Sequence, residues 1–395
     1  MASLQKIVLL SGARHLGINK LMSDKVILKC INGFHSDGEA RFEPQESVKG
    51  KEIIVVQSCY RPNDHLLELL IAIDSLKRGG AASITVLTPY FPYTRSDKLF
   101  TEASAIGLKV VASLLEQAKI DRLIVFDMHS RDSSLAFNLP VVHMSIVPLL
   151  ARYFKEFYMP NKDWVVCAAR ENVVEPALQF AELAGIENFI LYPKKAREKT
   201  IRGRIKDKTV VIYNDMIDHN NTIYDCWQKV LSKEPKKVVL CGVHGVFPKG
   251  SEEKFKNVAI WVSDTLPWNI KVPYYTNYAP SGHFLRQVIE SCFSGAALHN
   301  LWNEGYTGDI EYVDITDPDG EKKEEKVIGT HEDHPCLMCD CPTEIHITPG
   351  KGELHRCRLV CPSCGLKTSR MTIRVKNIED IEEVKKAINL ASIPK

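Results

Sequence analysis

From the N-terminus to about residue 300, short β-branched runs alternate with longer amphipathic segments, and this alternation constrains the fold more than any other feature of the chain. The runs are "KEIIVVQS", "ASITVLTPY", "DRLIVFDMH", "DWVVCAA", "IENFILYP", "KTVVIYND" and "KKVVLCGVHG". The segments between them carry apolar residues at helical spacing. In "DHLLELLIAIDSLKRGG" residues Leu66, Leu69, Leu70, Ile73 and Leu76 share one face, and two glycines end the helix. In "ASAIGLKVVASLLEQAK" the same reading groups Ile106, Val110 and Leu114. Strand and helix in strict alternation imply α/β domains, with parallel sheets covered by helices. Ligands bind such sheets at the carboxyl ends of the strands. Asp127, His129, Asp215, Asp218 and His244 stand at those ends.

A break near residue 150 divides the alternation into two α/β domains of similar design, 1–150 and 151–304. Residues 305–333 are polar, charge-dense and carry a Pro-Asp-Gly turn, which reads as a linker. A formal net charge of +2 supplies no basic field for nucleic acid. The N-terminal apolar run is too short for a signal peptide or membrane span, and no membrane-length apolar stretch follows. A cytoplasmic protein is expected, with neither membrane nor nucleic acid among its partners.

Six cysteines (Cys30, Cys59, Cys167, Cys226, Cys241 and Cys292) are scattered and read as buried thiols. The other six fall within residues 334–376. Cys336-x-x-Cys339 and Cys361-x-x-Cys364 have the spacing of a zinc ribbon, in which four thiolates hold a structural Zn2+ tetrahedrally. The intervening strands look too small to form a core without the metal. Cys341 and Cys357 exceed four ligands. They read as packing thiols, with alternative ligation or a second metal left open. Residues 377–395 read as a helix with Asn377 as N-cap and Ile378, Ile381, Val384 and Ile388 on one face.

Four stretches carry chemistry. "GFHSDGEARF" sets Asp37 and Glu39 around a glycine turn. In "TPYFPYTRSDK" Arg95 and Asp97 follow aromatic residues, which suits a nucleotide through phosphate pairing and ring stacking. "VFDMHS" places Asp127 and His129 beyond a strand, in reach of one metal or phosphate. In "NDMIDHNNTI" a strand, two acids, a turn and a helix follow one another, but the turn lacks the glycines that let backbone N–H groups converge on a phosphate.

In this order, "SDGE", "ESVKGKEIIVVQS", "DHLLELLIAIDSLKRGGAASITVLTPYFPYTRSD", "FDMHS", "VVHMSIVPLLARYF", "NDMID", "VHGVF" and "VSDTLP" resemble the phosphoribosyl pyrophosphate synthetases over roughly residues 5–295. The resemblance implies two phosphoribosyltransferase-like domains and an ATP-dependent pyrophosphokinase. The anomeric hydroxyl of a ribosyl phosphate attacks the β-phosphorus of ATP, AMP leaves, and Mg2+ offsets the phosphate charge. It also implies a homo-oligomer, a dimer or hexamer. Carried over by position, His35, Asp37, Glu39, Arg95, Ser96 and Asp97 would bind ATP. Lys194, Lys195 and Arg197 would form the basic catalytic loop, with His129. Asp215, Asp218, His219, Asn220, Asn221 and Thr222 would bind the ribosyl substrate. His129, Asp127 and Glu171 would hold Mg2+.

Four departures stand out. His35 replaces an expected phenylalanine and Ser96 a glutamine. "CAARENV" replaces the S-P-D-x-G-G loop, with Glu171 as substitute for its aspartate. His219-Asn220-Asn221 replaces T-G-G in the 5-phosphate turn. Asparagine tolerates positive φ but crowds the approach that glycine permits. An acceptor extended at its 5′ end, such as ADP-ribose, is therefore favoured over ribose 5-phosphate. A catalytically silent regulatory or scaffolding homologue is the alternative.

Overall fold

The computed structural model describes residues 5–60, 63–191, 205–218, 222–267, 273, 275–298, 301, 326–331, 343–348, 354–360, 371–375 and 377–392. Two compact units emerge. The first comprises the described residues of Met1–Pro148, Asp264–Pro267 and Pro280–Asp309; the second comprises those of Leu149–Ser263, Trp268–Ala279 and Ile310–Lys395.

The first unit begins with strand β1 (Gln5–Leu9) and the short helix α1 (Ile18–Leu21). Strands β2 (Cys30–Phe34) and β3 (Ala40–Pro44) form an antiparallel hairpin, with β3 against helix α2 (Asp64–Arg78). Strands β4 (Glu52–Val56), β5 (Ser83–Thr88), β6 (Arg122–Phe126) and β7 (Val141–Met144) join β1 in a parallel sheet of order β1-β4-β5-β6-β7, with helix α3 (Gly107–Gln117) between β5 and β6. The expected parallel α/β design is what forms.

Helix α2 buries Leu69, Ile73 and Leu76, with Leu66 and Leu70 half-buried beside them, as the periodicity predicts. Helix α3 differs. Its buried face is Leu108, Val111 and Leu115, whereas Val110 and Leu114 are exposed. Nearly every position of "IGLKVVASLLEQ" at helical spacing is apolar, so two adjacent stripes satisfy the same period and only packing selects one.

In the second unit, helix α4 (Val147–Tyr158) precedes β8 (Trp164–Ala168), helix α5 (Val174–Ala184) and β9 (Asn188–Leu191). Then come β10 (Thr209–Ile217), helix α6 (Thr222–Leu231), β11 (Lys237–Gly245), the short α7 (Ser251–Lys254), β12 (Ala259–Ser263) and β13 (Thr276–Ala279). All six strands run parallel in the order β13-β12-β11-β10-β8-β9. On this sheet Phe154 packs edge-on against Trp164, Phe180 and Trp261, and the buried Trp261 indole donates to the Leu150 carbonyl at 3.2 Å.

Helix α8 (Gly282–Ser294) belongs to the first unit, not to the second as the linear division at residue 304 places it. Phe284 packs edge-on against Phe126 of β6, and the Phe293 carbonyl accepts from Gln5 Nε2 at 2.8 Å. A Cβ on Gly282 would lie 2.4 Å from the Leu16 carbonyl oxygen, so only glycine permits this approach. Amphipathic spacing states that a helix needs an apolar partner and does not say which sheet provides it.

Strands β14 (Lys326–His331), β15 (Thr343–Thr348), β16 (Leu354–Val360) and β17 (Met371–Arg374) form an antiparallel meander that contacts helix α9 (Ile381–Ser392). Ile345, Ile347, Cys357, Leu359, Val375, Val384 and Ile388 make its core. The helix supplies the apolar area that the strands alone lack. Asp380 caps it, accepting from the Glu382 and Glu383 N–H groups at 3.1 Å each, where Asn377 was the expected cap. Asn377 accepts instead from Glu379 N–H, one turn too early. Val384 and Ile388 are buried, while Ile381 is exposed.

Among the scattered cysteines Cys59, Cys167, Cys226 and Cys241 are buried and Cys30 and Cys292 are half-buried; all are free thiols. No helix of the described residues is long and apolar enough to cross a membrane.

Candidate functional site

In the first unit β6 delivers Asp127, Met128 and His129 at its carboxyl end. Asp127 has φ 41°, a conformation few non-glycine residues adopt. Its carboxylate explains why: Oδ1 accepts from Ser145 Oγ at 2.7 Å, and Oδ2 accepts from Ile146 N–H at 2.7 Å. Asp127 thus ties the end of β6 to the turn between β7 and α4. Met128 N–H donates to His143 Nε2 at 3.0 Å, and His129 follows, half-buried.

His35, Asp37 and Glu39 occupy the exposed tip of the β2–β3 hairpin. His35 N–H donates to the Glu39 carbonyl at 2.8 Å, Gly38 has φ 91°, and Asp37 Oδ1 accepts from Glu39 N–H at 3.1 Å. The local turn is thus complete without Glu39's side chain. Beyond β5, Arg95 is exposed and Asp97 half-buried. Ser96 has a definite structural engagement: its hydroxyl donates to the Ala105 carbonyl at 3.1 Å and accepts from Gly107 N–H at 3.0 Å, at the start of α3. Of the aromatic residues expected to flank a nucleotide here, Phe91 is buried against Phe137, whereas Tyr93 is exposed.

A buried polar group also belongs to this unit. Glu68 accepts from Ser11 N–H at 3.1 Å, from Gln57 Nε2 at 2.8 Å and from the Ser11 hydroxyl. Burial alone would raise its pKa, but these bonds, with His65 beside it, hold it below the usual carboxylate range. Asp264 Oδ1 accepts from the Ser281 N–H and hydroxyl, while its buried Oδ2 has no hydrogen-bond partner among the described residues. Burial pushes its pKa up to about 7. His15 Nε2 lies 2.8 Å from the Asp264 carbonyl oxygen, and desolvation lowers its pKa to about 4.

In the second unit β8 and β10 lie side by side, with Ala168 opposite Tyr213. Strand β10 is buried throughout and runs to Ile217, so Asp215 stands within its last turn of pleat and not beyond it. His244 is likewise a buried residue inside β11. Asp215 and Asp218 are both buried, and Thr222 opens α6. Arg170, directly after β8, donates from Nη2 to Asp215 Oδ1. Arg170 is not among the residues singled out by motif, and its signal in the sequence is a charged residue directly after a buried strand. Glu171, the proposed replacement metal ligand, is exposed in the following short 3-10 turn.

Among the described residues no cluster of three or more His, Cys, Asp or Glu side chains is placed to hold a metal. The basic-loop residues Lys194, Lys195 and Arg197 lie outside the described residues, as do His219, Asn220, Asn221, Cys336, Cys339, Cys341, Cys361 and Cys364. Cys357 is described: it is a core residue of the C-terminal module, and burial raises its thiol to about 12.

A family model for the N-terminal domain of ribose phosphate pyrophosphokinase matches residues 8–118. A ribose-phosphate pyrophosphokinase of Fusobacterium nucleatum is 32% identical over 287 residues, covering 69% of this chain and 90% of the relative. One from Staphylococcus saprophyticus is 34% identical over 255 residues, 63% of this chain and 77% of the relative. Among solved structures, a phosphoribosylpyrophosphate synthetase from Mycobacterium smegmatis superposes with a TM-score of 0.67 at 27% identity, over 74% of this chain and 99% of that one.

Proposed function

The chain belongs to the ribose-phosphate pyrophosphokinase family, and from that premise we propose that it transfers the β,γ-diphosphate of ATP to the anomeric hydroxyl of a ribosyl phosphate. The C1 oxygen attacks the β-phosphorus, the bond from that phosphorus to the α,β-bridging oxygen breaks, and AMP departs with that oxygen. The hydroxyl proton is lost to solvent. The observation that carries this reading is the end of β10. Two buried acids, Asp215 within β10 and Asp218 just after it, precede by a few residues in sequence the helix that Thr222 opens. Carboxylates there accept hydrogen bonds from ribose hydroxyls, and a helix start favours an anion.

The hairpin tip at His35, Asp37 and Glu39 and the loop at Arg95–Asp97 are proposed to bind ATP, Ser96 by shaping the start of α3. Lys195 and Arg197, with Lys194, are proposed to stabilise charge on the transferring group. Mg2+, when bound with ATP, supplies charge neutralisation of the phosphates. The half-buried His129 suits a position beside it. Asp127 suits this less well, because both its oxygens already hold the β7–α4 turn. In the C-terminal module Cys336, Cys339, Cys361 and Cys364 are proposed as zinc ligands on their spacing.

For the acceptor, ribose 5-phosphate is the first choice, because the relatives are ribose-phosphate pyrophosphokinases. This reverses the preference drawn from the sequence. A 5′-extended ribose such as ADP-ribose remains a second reading, favoured by the glycine-free His219-Asn220-Asn221. AMP release from Mg-ATP, measured with each acceptor separately, decides between them. AMP from neither would indicate the silent homologue. Lys195→Ala with Arg197→Ala is expected to lower kcat far more than it raises either KM.

A further inference from the structure

One face of the first unit's parallel sheet carries polar residues where such sheets are ordinarily apolar. Alternation along β6 sets Arg122, Ile124 and Phe126 on that face, and Phe284 of α8 packs against Phe126. In the neighbouring β5, Thr85 pairs with Arg122, and Ser83 stands two residues before it on the same face. On the other face Ile53, Ile84 and Leu123 enter the apolar core. Ile54 of β4, Ser83, Thr85 and Arg122, with Cys292 and Phe293 at the end of α8, line a cavity of about 320 Å³. That volume suits a small ligand.

The lining holds donors that the protein itself leaves unused. Thr85 is 9% exposed, yet its hydroxyl has no hydrogen-bond partner among the described residues. A buried hydroxyl without a partner is costly unless something in the cavity supplies one. The half-buried Ser83 hydroxyl is in the same position. Arg122 is half-buried and forms no ion pair among the described residues. Its neighbour is the Cys292 thiol, whose pKa burial pushes up while the guanidinium works against the rise.

Two exposed carboxylates, Glu52 and Asp121, also border the cavity and are held elsewhere. Asp121 Oδ2 accepts from Ile84 N–H at 2.7 Å and from Lys77 Nζ at 2.9 Å, and Glu52 Oε2 accepts from Gln5 Nε2 at 3.2 Å. A guanidinium and two hydroxyls call for an anion. The bordering carboxylates repel a second negative charge, which favours a singly charged carboxylate over a phosphate.

We propose that this cavity binds a small monocarboxylate, whose oxygens meet the Arg122 guanidinium and the Thr85 and Ser83 hydroxyls and whose carbon skeleton lies against Ile54 and Phe293. The site stands at the start of β6, a full strand away from Asp127 and His129 at its other end. Nothing in it depends on pyrophosphokinase activity.

Cys292 allows a test with simple probes. Iodoacetate and iodoacetamide alkylate a thiolate by the same displacement: the S–C bond forms, the C–I bond breaks and iodide leaves, the thiol proton having gone to solvent. Only iodoacetate carries a carboxylate, and at an ordinary thiol the neutral amide reacts faster. At Cys292, followed by mass spectrometry of its peptide, iodoacetate is expected to react faster. The ratio of the two rates should fall roughly ten- to a hundredfold in Arg122→Gln, the loss of a charge-assisted hydrogen bond. In Thr85→Val, which keeps the cation, it should fall about two- to tenfold. Both reagents attack one thiolate, so a changed thiol pKa cancels in the ratio. A ratio unaltered in Arg122→Gln, or a Cys292 inert to both reagents, overturns the proposal.

A second arm needs only the unmodified protein. Propionate should slow the labelling of Cys292 by iodoacetate in a saturable way, and propionamide should not. Protection by neither, or by both alike, overturns the site. Stronger protection by inorganic phosphate overturns the monocarboxylate assignment.

Discussion

His15 points its Nε2 at the backbone carbonyl of Asp264 from 2.8 Å, and the two side chains carry opposite pH dependences. Asp264 has a folded pKa of about 7, above its ordinary 3.8, so the folded state retains a proton that the unfolded state releases. Its contribution to stability is full below pH 4 and is lost as pH rises toward 7. His15 has a folded pKa of about 4, below 6.5, so its neutral form is favoured by folding. Its contribution is full above pH 6.5 and is lost as pH falls toward 4. The slopes oppose each other across this window. Asp264→Asn should therefore leave a stability that rises with pH from 4 to 6.5, and His15→Asn one that falls from 4 to 7. Denaturation midpoints across pH 4–8 check both signs; parallel profiles for the two variants would contradict the assignment.

Asp127→Ala should destabilise the first unit by roughly 2–4 kcal/mol, since two charge-assisted hydrogen bonds are lost and the Ile146 N–H is left without its acceptor. Ser145→Ala should cost about 1 kcal/mol. Urea denaturation measures both. A variant with unaltered stability but weakened Mg2+ affinity would show that Asp127 is chiefly a metal ligand.

Glu68→Gln should weaken the buried group around Ser11 and Gln57, with Glu68→Ala worse because it leaves those donors buried without an acceptor. The depressed pKa adds a sign. The stabilisation is present above the ordinary carboxylate pKa and lost as pH falls through the lowered one. The unmodified protein should thus lose stability in acid faster than Glu68→Gln does, a difference that midpoints between pH 3 and 5 would reveal.

The cysteines of the C-terminal module should separate into two kinds. Cys361→Ser and Cys364→Ser are expected to abolish bound zinc in metal analysis. Cys357→Ser should retain it and instead lose roughly 1–3 kcal/mol, because a hydroxyl replaces a thiol among Ile345, Leu359 and Val384. Zinc lost equally from Cys357→Ser would return that residue to the ligand set.

Much of this molecule was readable from the chain. The β-branched runs became the strands β4, β5, β6, β8, β9, β10 and β11, and α2 buries the face its spacing predicts. These features are local: period and residue type act on neighbours a few positions apart. The motif order also placed the acids of "NDMID" at the end of a strand that precedes a helix, and that is where they stand. What the chain could not reveal depends on partners far away in sequence. The apolar stripe that α3 buries, the unit that α8 joins and the turn that holds Asp127 were each chosen by packing. The pairing of Arg170 with Asp215 was decided the same way. It exists because β8 lies beside β10 in a register that sets Ala168 against Tyr213, and such register is fixed only when the whole sheet assembles.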